Sequence, residues 1–347
     1  MSNDGNRAEK CGIRCIKFIL QWHITHRCNL RCKHCYQDEF KEEMSSTLID
    51  ETFDKYIRFI GSNGYSGHVY LTGGEPLVHP DFFRLVEKIK KRGLPLTVLT
   101  NGTLVDRDAA NRMKWIGVDV VQVSLDGTKE IHDGIRGNGA FERALDGIDC
   151  LVSQKIHVIV SFTAQKTNIK SFKSLAEVCK EHGVKKLWWD RVVIESSGGN
   201  DGLSLSTSEF KKMSSLAGKL REKYMRPDGS SLVSCERSLQ FLGCADGCRK
   251  YTCHAGKDML IITADGSVMP CRRLPFVIGN IKDGEIADIF ASSSLMKELR
   301  DSSAPEECAG CSHAGFCKGG AKCVTYAQTG KLFARDVNCC FKIKSRP

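Results

Sequence analysis

Between residues 17 and 195 the chain alternates two arrangements of apolar and polar positions. Short runs of β-branched and aromatic residues are each followed by a stretch of roughly 10–16 residues in which apolar positions recur every three or four, the pattern of successive βα units. Six strands are predicted: Phe18–Thr25, His68–Leu71, Leu96–Thr100, Val118–Leu125, His157–Thr163 and Lys186–Val193. Among the helices, residues 47 to 60 place Leu48, Ile49, Phe53, Tyr56, Ile57 and Ile60 on one stripe, with Gly61 expected as the stop. Six βα units in a row predict an α/β fold, a partial (βα)6 TIM-like barrel on a parallel sheet.

The pattern changes near residue 230. A Ser- and Lys-rich helical stretch at 204–226 leads into a tail with few long apolar runs and many glycines and cysteines. The expected division is an extension at 1–16, the barrel at 17–230, and a small cysteine-rich α+β domain at 231–347. The run SSGGNDG at 196–202 reads as a loop, and no internal repeat is visible.

Composition narrows the class. With 347 residues and 41% apolar content the chain can bury a large core. No apolar run reaches the length of about 18 residues that a membrane helix needs, and the first residues lack the apolar core of a signal peptide, so a cytoplasmic protein with no membrane partner is expected. Eighteen cysteines in such a chain point to metal binding rather than to a disulfide scaffold. The net charge of +10 favours an anionic contact. Because the basic residues are scattered, with clusters such as Lys90-Lys91-Arg92 at helix ends, an acidic peptide or an ordinary solvated surface accounts for it better than nucleic acid.

The chemistry starts at Cys28, Cys32 and Cys35 in RCNLRCKHCY. CxxxCxxC offers three thiolates and stops, which leaves one coordination position open, as reactive metal sites do and closed structural zinc sites do not. Half of a zinc knuckle is the plainer reading of the triplet alone. In parallel βα folds, ligands gather at the C-terminal ends of the strands. Four loops lie there: Cys28–Cys35 after the first strand, Gly73-Gly74-Glu75-Pro76 after the second, Asn101-Gly102 after the third, and Ser124 to Gly127 closing the fourth.

The triplet, with His34 before its last cysteine and Tyr36 after it, and the GGEP loop together resemble the radical S-adenosylmethionine (SAM) superfamily. The resemblance implies a [4Fe-4S] cluster held by Cys28, Cys32 and Cys35, with SAM chelating the open iron. It assigns Gly73, Gly74 and Glu75 to the methionine amino group, against a plain strand-to-helix turn. VQVSLDG resembles the family's ribose motif, giving Ser124 and Asp126 to the sugar hydroxyls, against a β-turn at Asp126-Gly127. His132, Asp133 and Arg136 match related peptide-modifying enzymes, and Arg136 is either a carboxylate clamp for SAM or a surface ion pair.

The tail carries Cys253, Gly266-(x4)-Cys271, then Cys308-(x2)-Cys311-(x5)-Cys317-(x5)-Cys323, and Cys339-Cys340. It resembles the SPASM extension of radical SAM enzymes, which implies two auxiliary [4Fe-4S] clusters. By that resemblance Cys253, Cys271 and Cys323 hold the first, with Cys248 or Cys244 as a fourth ligand. Cys308, Cys311, Cys317 and Cys339, or Cys340 in its place, hold the second. Cys323 stands two residues beyond the usual position, where Ala321 falls. A four-cysteine zinc ribbon is the alternative for the tail. Cys11, Cys15, Cys150, Cys179 and Cys235 read as buried or unligated thiols.

By resemblance, the activity is reductive cleavage of SAM to a 5′-deoxyadenosyl radical, followed by oxidative modification of a peptide or protein side chain, such as a thioether or carbon–carbon cross-link. An external one-electron reductant of flavodoxin or ferredoxin type would supply the electron. Only 27 residues precede Cys28, which implies a separate leader-recognition protein or recognition by the basic surface and tail. A sulfatase-maturing, formylglycine-generating enzyme is the runner-up, weakened by Arg272 and Arg273 after Cys271, where that type carries an acid. A non-catalytic iron–sulfur carrier and a zinc-ribbon binding module are the alternatives outside enzymes.

Overall fold

Strand β1 (Lys17–His23) shows how the barrel is built. Phe18, Leu20 and Trp22 alternate onto one face and are fully buried, while Ile19 and Gln21 on the other face are half-buried. The protein is described by a computed structural model over residues 16–35, 42–193, 202–244 and 251–342. Strands β2 (Ser66–Thr72), β3 (Leu96–Thr100), β4 (Val120–Ser124), β5 (His157–Ala164) and β6 (Lys186–Arg191) follow, each paired in parallel with its predecessor. All six expected strands form. The first, fourth and sixth end earlier than expected because their last residues turn out of the ladder into the loops above.

Helices α1 (Ser46–Ser62), α2 (Phe82–Lys91), α3 (Arg107–Ile116), α4 (Lys129–Arg136), α5 (Ala140–Ser153), α6 (Phe172–Glu181) and α7 (Thr207–Lys223) belong to this part of the chain, and the apolar faces of all but α4 join the strands' outer faces in the main core. The Ser45 hydroxyl accepts from the Leu48 amide and caps α1. Gly61 does not end this helix. The chain stays helical to Ser62, Asn63 donates its side-chain amide to the Phe59 carbonyl, and the left-handed turn falls on Gly64 at φ 64°.

The tail adds β7 (Val233–Ser234), β8 (Met259–Ile262), β9 (Ser267–Met269) and β10 (Gly279–Asn280), and helices α8 (Ile286–Ser292), α9 (Ser294–Asp301), α10 (Ala314–Cys317) and α11 (Lys322–Thr329). Its strands extend the barrel sheet, in the order β10-β9-β8-β1-β2-β3-β4-β5-β6-β7. β8 runs parallel to β1, and β9 and β10 return antiparallel. The sheet therefore crosses residue 230 without a break. Side chains reinforce the join: Lys55 Nζ donates to the carbonyls of Ile281 (2.7 Å) and Gly284 (2.8 Å). All but the last residue of the expected extension at 1–16, and most of the 196–202 loop, lie outside the described residues.

Phe18 sits where strand, helix and tail meet, with ring centroids 4.8 Å from Phe59, 5.2 Å from Tyr65 and 5.6 Å from Phe290 of α8. Phe18→Ala should lower the unfolding free energy by about 3–5 kcal/mol, since a buried aromatic leaves both a transfer loss and a cavity. Urea unfolding of the cluster-free protein checks this. A loss below about 1 kcal/mol would mean that the rings do not bind tail to barrel.

Candidate iron–sulfur and SAM site

The loop carrying Cys28, Cys32 and Cys35 leaves the top of β1 and is held by the GGEP loop beside it. The Gly74 amide donates to the Thr25 carbonyl (2.8 Å) and the Glu75 amide to that of Arg27 (2.9 Å). A Cβ on Gly73 would lie 2.6 Å from the Thr25 oxygen, and one on Gly74 would lie 2.3 Å from the Arg27 oxygen. The glycine pair is thus required for two backbones to touch directly below the cysteines. The three thiols stand close enough to influence one another electrostatically. Donors point at their sulfurs: the Leu30 amide (3.4 Å) and Asn101 Nδ2 (3.8 Å) at Cys28, and Arg136 Nη1 (3.8 Å) at Cys32. Burial raises the pKa of Cys28 and Cys32, so loading a metal cluster there releases protons.

Glu75 is fully buried and turned away from the loop it follows. Its carboxylate accepts from Thr100 Oγ1 (2.8 Å), the Asn101 amide (2.8 Å) and the Leu77 amide (3.2 Å). Burial pushes its pKa up to about 7 against the pull of those donors. The side chain's work is to lock the end of β3, including Asn101, while Gly73 and Gly74 offer backbone to the mouth. The sequence puts Asn101 at the mouth without a role. The structure sets its amide between Cys28 and Asn29 Oδ1 (2.9 Å).

Asp126 is also fully buried, accepting from Arg136 Nε (2.6 Å) and the Thr163 amide (2.8 Å), with His34 Nε2 at 3.7 Å. Burial works to raise its pKa, but Arg136 and then His34 outweigh this and bring it below the usual range. Both its oxygens have protein partners, so the side chain anchors Arg136 rather than standing open to a sugar. Arg136 is correspondingly not in a surface pair. It bridges Asp126 and Cys32 in the interior. Ser124 stands at the end of β4, half-buried, with Ser161 Oγ at 3.4 Å. The Asp126 amide donates to His132 Nδ1 (3.1 Å), and Asp133 ties the next loop through the Gly139 and Phe141 amides. Burial lowers the pKa of His34 and of His132 to about 4, and the remaining ring atoms, His34 Nδ1 and His132 Nε2, are buried with no hydrogen-bond partner among the described residues. Three converging thiols beside buried, unsatisfied polar atoms fit a cluster that carries a polar cofactor.

The barrel's inner face is mixed, with Ile19, Leu99, Val120 and Ile159 among its polar residues. Alternation from the buried outer residues puts Gln21 and His23, Tyr70, Gln122 and Ser124, Ser161 and Thr163, and Trp188 on it. Gln21 Nε2 lies 3.0 Å from His23 Nε2, and Trp188 Nε1 donates to Gln122 Oε1 (3.1 Å).

In the tail, Cys253, Cys271 and Cys323 share one buried neighbourhood, each within electrostatic reach of another. Burial pushes Cys323 up to about 11, with Arg273 opposing. Three successive residues with positive φ, Lys318, Gly319 and Gly320, precede α11, and Cys323 stands at the start of that helix. Cys248 lies outside the described residues, and Cys244 packs against the main core. Cys308, Cys311, Cys317 and Cys339 line a second, partly open pocket together with Phe241, His313 and Phe341. Cys339 lines it and Cys340 does not. Arg335 Nη2 contacts Cys339 Sγ at 3.5 Å. Among the described residues no three donors are close enough to share a single metal ion. The four thiols instead line one pocket together. Cys179 and Cys235 are buried in the main core and Cys150 packs at its edge, while Cys11 and Cys15 lie outside the described residues.

Two ion pairs at the end of β6 join these sites to the barrel. Arg191 donates to both oxygens of Asp336 (2.6 and 2.9 Å) and to Asn338 Oδ1 (2.8 Å), and Asp190 pairs with Arg273. Neither Asp190 nor Arg191 stood out in the sequence.

The geometry is that of an enzyme that binds a cluster and a polar cofactor at the mouth of a partial barrel, with further thiol sites in its tail. Residues 22–179 match the radical SAM superfamily, and residues 253–312 match the SPASM iron–sulfur cluster-binding domain. The chain belongs to the radical SAM superfamily and carries a SPASM domain. It is 25% identical to the AdoMet-dependent heme synthase of Methanosarcina barkeri, over 93% of this chain and 96% of that protein. It is 27% identical to the mycofactocin maturase MftC of Mycobacterium tuberculosis, over 92% and 82%. The solved structure of native anSMEcpe with bound AdoMet shares the fold, with a TM-score of 0.75 at 20% identity over 93% of this chain and 94% of that one. Membership implies a [4Fe-4S] cluster and SAM. Among the described residues no helix is long and apolar enough to cross a membrane.

Gly74→Ala should block closure of the cysteine loop and lower the iron content of reconstituted protein by about four per chain, one cubane's worth, measured by iron and sulfide assay. Unchanged iron would mean that the contact is dispensable. Glu75 carries a pH signature. Its folded pKa is raised above the unfolded value of about 4.3, so its contribution to stability is complete below that pH and is lost as pH rises through about 7. Glu75→Gln should flatten the fall in apo-protein stability between pH 5 and 8 by on the order of 2–3 kcal/mol, read by urea unfolding at each pH.

Proposed function

We propose that this protein oxidatively modifies a side chain of a ribosomally made peptide or of a protein, using SAM as the radical source. The observation that carries this reading is the inner face of the barrel. Gln21, Tyr70, Gln122, Ser124, Ser161 and Thr163 present amides and hydroxyls, which suit the backbone donors and acceptors of an extended peptide. A second reading is a tetrapyrrole with carboxylate side chains, favoured by the nearly end-to-end match to the heme synthase of Methanosarcina barkeri. The hydroxyls and amides of the lumen place the peptide first, while Ile19, Leu99, Val120, Ile159 and the Trp188 ring on the same face leave apolar wall that a flat macrocycle could use. The sulfatase-maturing type shares the fold, but Arg272 follows Cys271 where that type's acid is expected.

Cys28, Cys32 and Cys35 would hold the cluster, which with SAM would supply radical chemistry for hydrogen abstraction. The protein's own task is to hold and to exclude. Gly73 and Gly74 bring backbone to the cofactor side, Asp126 holds Arg136 beside Cys32, and Ser124 faces the lumen as a ribose contact. The thiols of Cys253, Cys271 and Cys323, with Cys248 or Cys244, and those of Cys308, Cys311, Cys317 and Cys339 would hold two auxiliary clusters that accept the electron left on the oxidised substrate. A flavodoxin- or ferredoxin-type protein would deliver the first electron, and a separate leader-binding protein would present the peptide.

Anaerobic reconstitution of the parent beside the Cys28→Ala, Cys32→Ala, Cys35→Ala triple variant tests this. Expected are about twelve irons against about eight, with 5′-deoxyadenosine formed by the parent alone. Mass spectrometry of genome-neighbouring short peptides and of Fe-coproporphyrin after turnover then separates the readings. A change of mass on the porphyrin alone would sink the peptide reading, and zinc without SAM cleavage would sink both.

A further inference from the structure

Arg237 follows β7 and turns into the barrel lumen. Its guanidinium lies 4.4 Å over the ring of Trp188 on β6. That ring cannot swing freely, because its indole N–H is donated to Gln122 on β4. From the opposite wall, Tyr70 on β2 feels the same positive charge. A guanidinium held over a ring by its charge still has N–H donors to offer, a fork that matches a carboxylate.

The neighbouring charges are already committed. Asp190 is close enough to sense Arg237, but one of its oxygens takes Arg273 and the other takes the Arg191 amide. Asp336 is taken by Arg191. At the end of β6, Arg273 and Arg191 are thus each paired with a carboxylate. Arg237, by contrast, is without an ion pair or a side-chain hydrogen bond among the described residues. A half-buried guanidinium among aromatic rings, with its edge unused, is a site for an anion.

We propose that Arg237, held over Trp188 and facing Tyr70, forms a subsite that binds a carboxylate of the substrate, an acidic side chain or C-terminus of the peptide. This rests on the peptide reading above and names the feature of the peptide that is recognised. The subsite lies in the same lumen as Ser124 and so orients the substrate by its charged group while a neighbouring C–H is presented to the radical. The competing role for Arg237 is to offset negative charge at the auxiliary thiols, since Cys271 also lies within its electrostatic reach.

The probes are a blocked pentapeptide with one central glutamate, its glutamine counterpart, and coproporphyrin III. Each is titrated by calorimetry into the anaerobically reconstituted full chain with SAM present, as the parent, Arg237→Gln and Arg237→Lys. The parent should bind the glutamate peptide about 10- to 100-fold more tightly than the glutamine peptide, the range for a charge-assisted hydrogen-bonded pair. That preference should vanish in Arg237→Gln and survive in part in Arg237→Lys. Equal binding of the two peptides by the parent overturns the proposal without reference to any variant. A preference that persists in Arg237→Gln, accompanied by a shifted auxiliary-cluster potential in redox titration, overturns it in favour of the charge-offset role. Arg237-dependent binding of coproporphyrin with no peptide preference overturns the peptide source. Because binding is read rather than turnover, a preserved preference in a chain that fails to cleave SAM would keep the subsite and remove the radical reading.

Discussion

Arg191 and Asp336 meet where solvent scarcely reaches, with side-chain exposures of 2% and 0%. Burying two charges is costly unless the geometry is good and the remaining donors and acceptors are used. Here they are used. Asp336 also accepts from the Ala321 and Asn338 amides, and its own carbonyl takes the Cys339 amide (2.9 Å). Gly320 lies so close that a Cβ would come within 2.4 Å of Asp336. Cys317 precedes this knot, Cys323 follows it at the start of α11, and Cys339 hangs from its far end. One ion pair anchored on β6 therefore sets where cysteines of both auxiliary sites stand relative to the barrel mouth.

The head site is organised by the same device. Asp126 and Arg136 form a buried pair, and the guanidinium passes its second edge to Cys32. Glu75 plays a similar part without a cation, taking hydroxyl and backbone donors instead. In each case an acid named by its motif is turned to protein partners and fixes a neighbour at the cysteine loop. Such groups suit a site that must keep its shape when a cluster's charge changes, because their partners are already in place before the electron arrives.

The barrel was legible in the sequence because alternation and helical periodicity are local properties, and the six strands formed where β-branched runs were bounded by turns. The three thiol groups were legible because spacing survives folding: Cys28, Cys32 and Cys35 converge, and so do Cys253, Cys271 and Cys323 despite the two-residue shift. What could not be read were the inward pairings. The partners of Asp126, Asp190 and Arg191 depend on which strand ends become neighbours, and nothing near 190 in the sequence announces Asp336, about 145 residues away. Gly61 misled for a related reason. A glycine ends a helix only where the chain must turn left-handed, and that turn falls on Gly64.

The pairing of β1 with β8 has a consequence for how the protein comes into being. Ile19 lies beside Met259 in this ladder, so one edge of β1 stays bare until some 240 residues more have been made. Contacts of such sequence separation are slow to form, and a bare apolar edge invites pairing with other chains in the interval. The barrel's own strands can assemble during synthesis, but the sheet is finished only after the tail has emerged. Shielding of the nascent chain, by crowding partners or by slow translation of the tail, then becomes as relevant to yield as the supply of iron and sulfide.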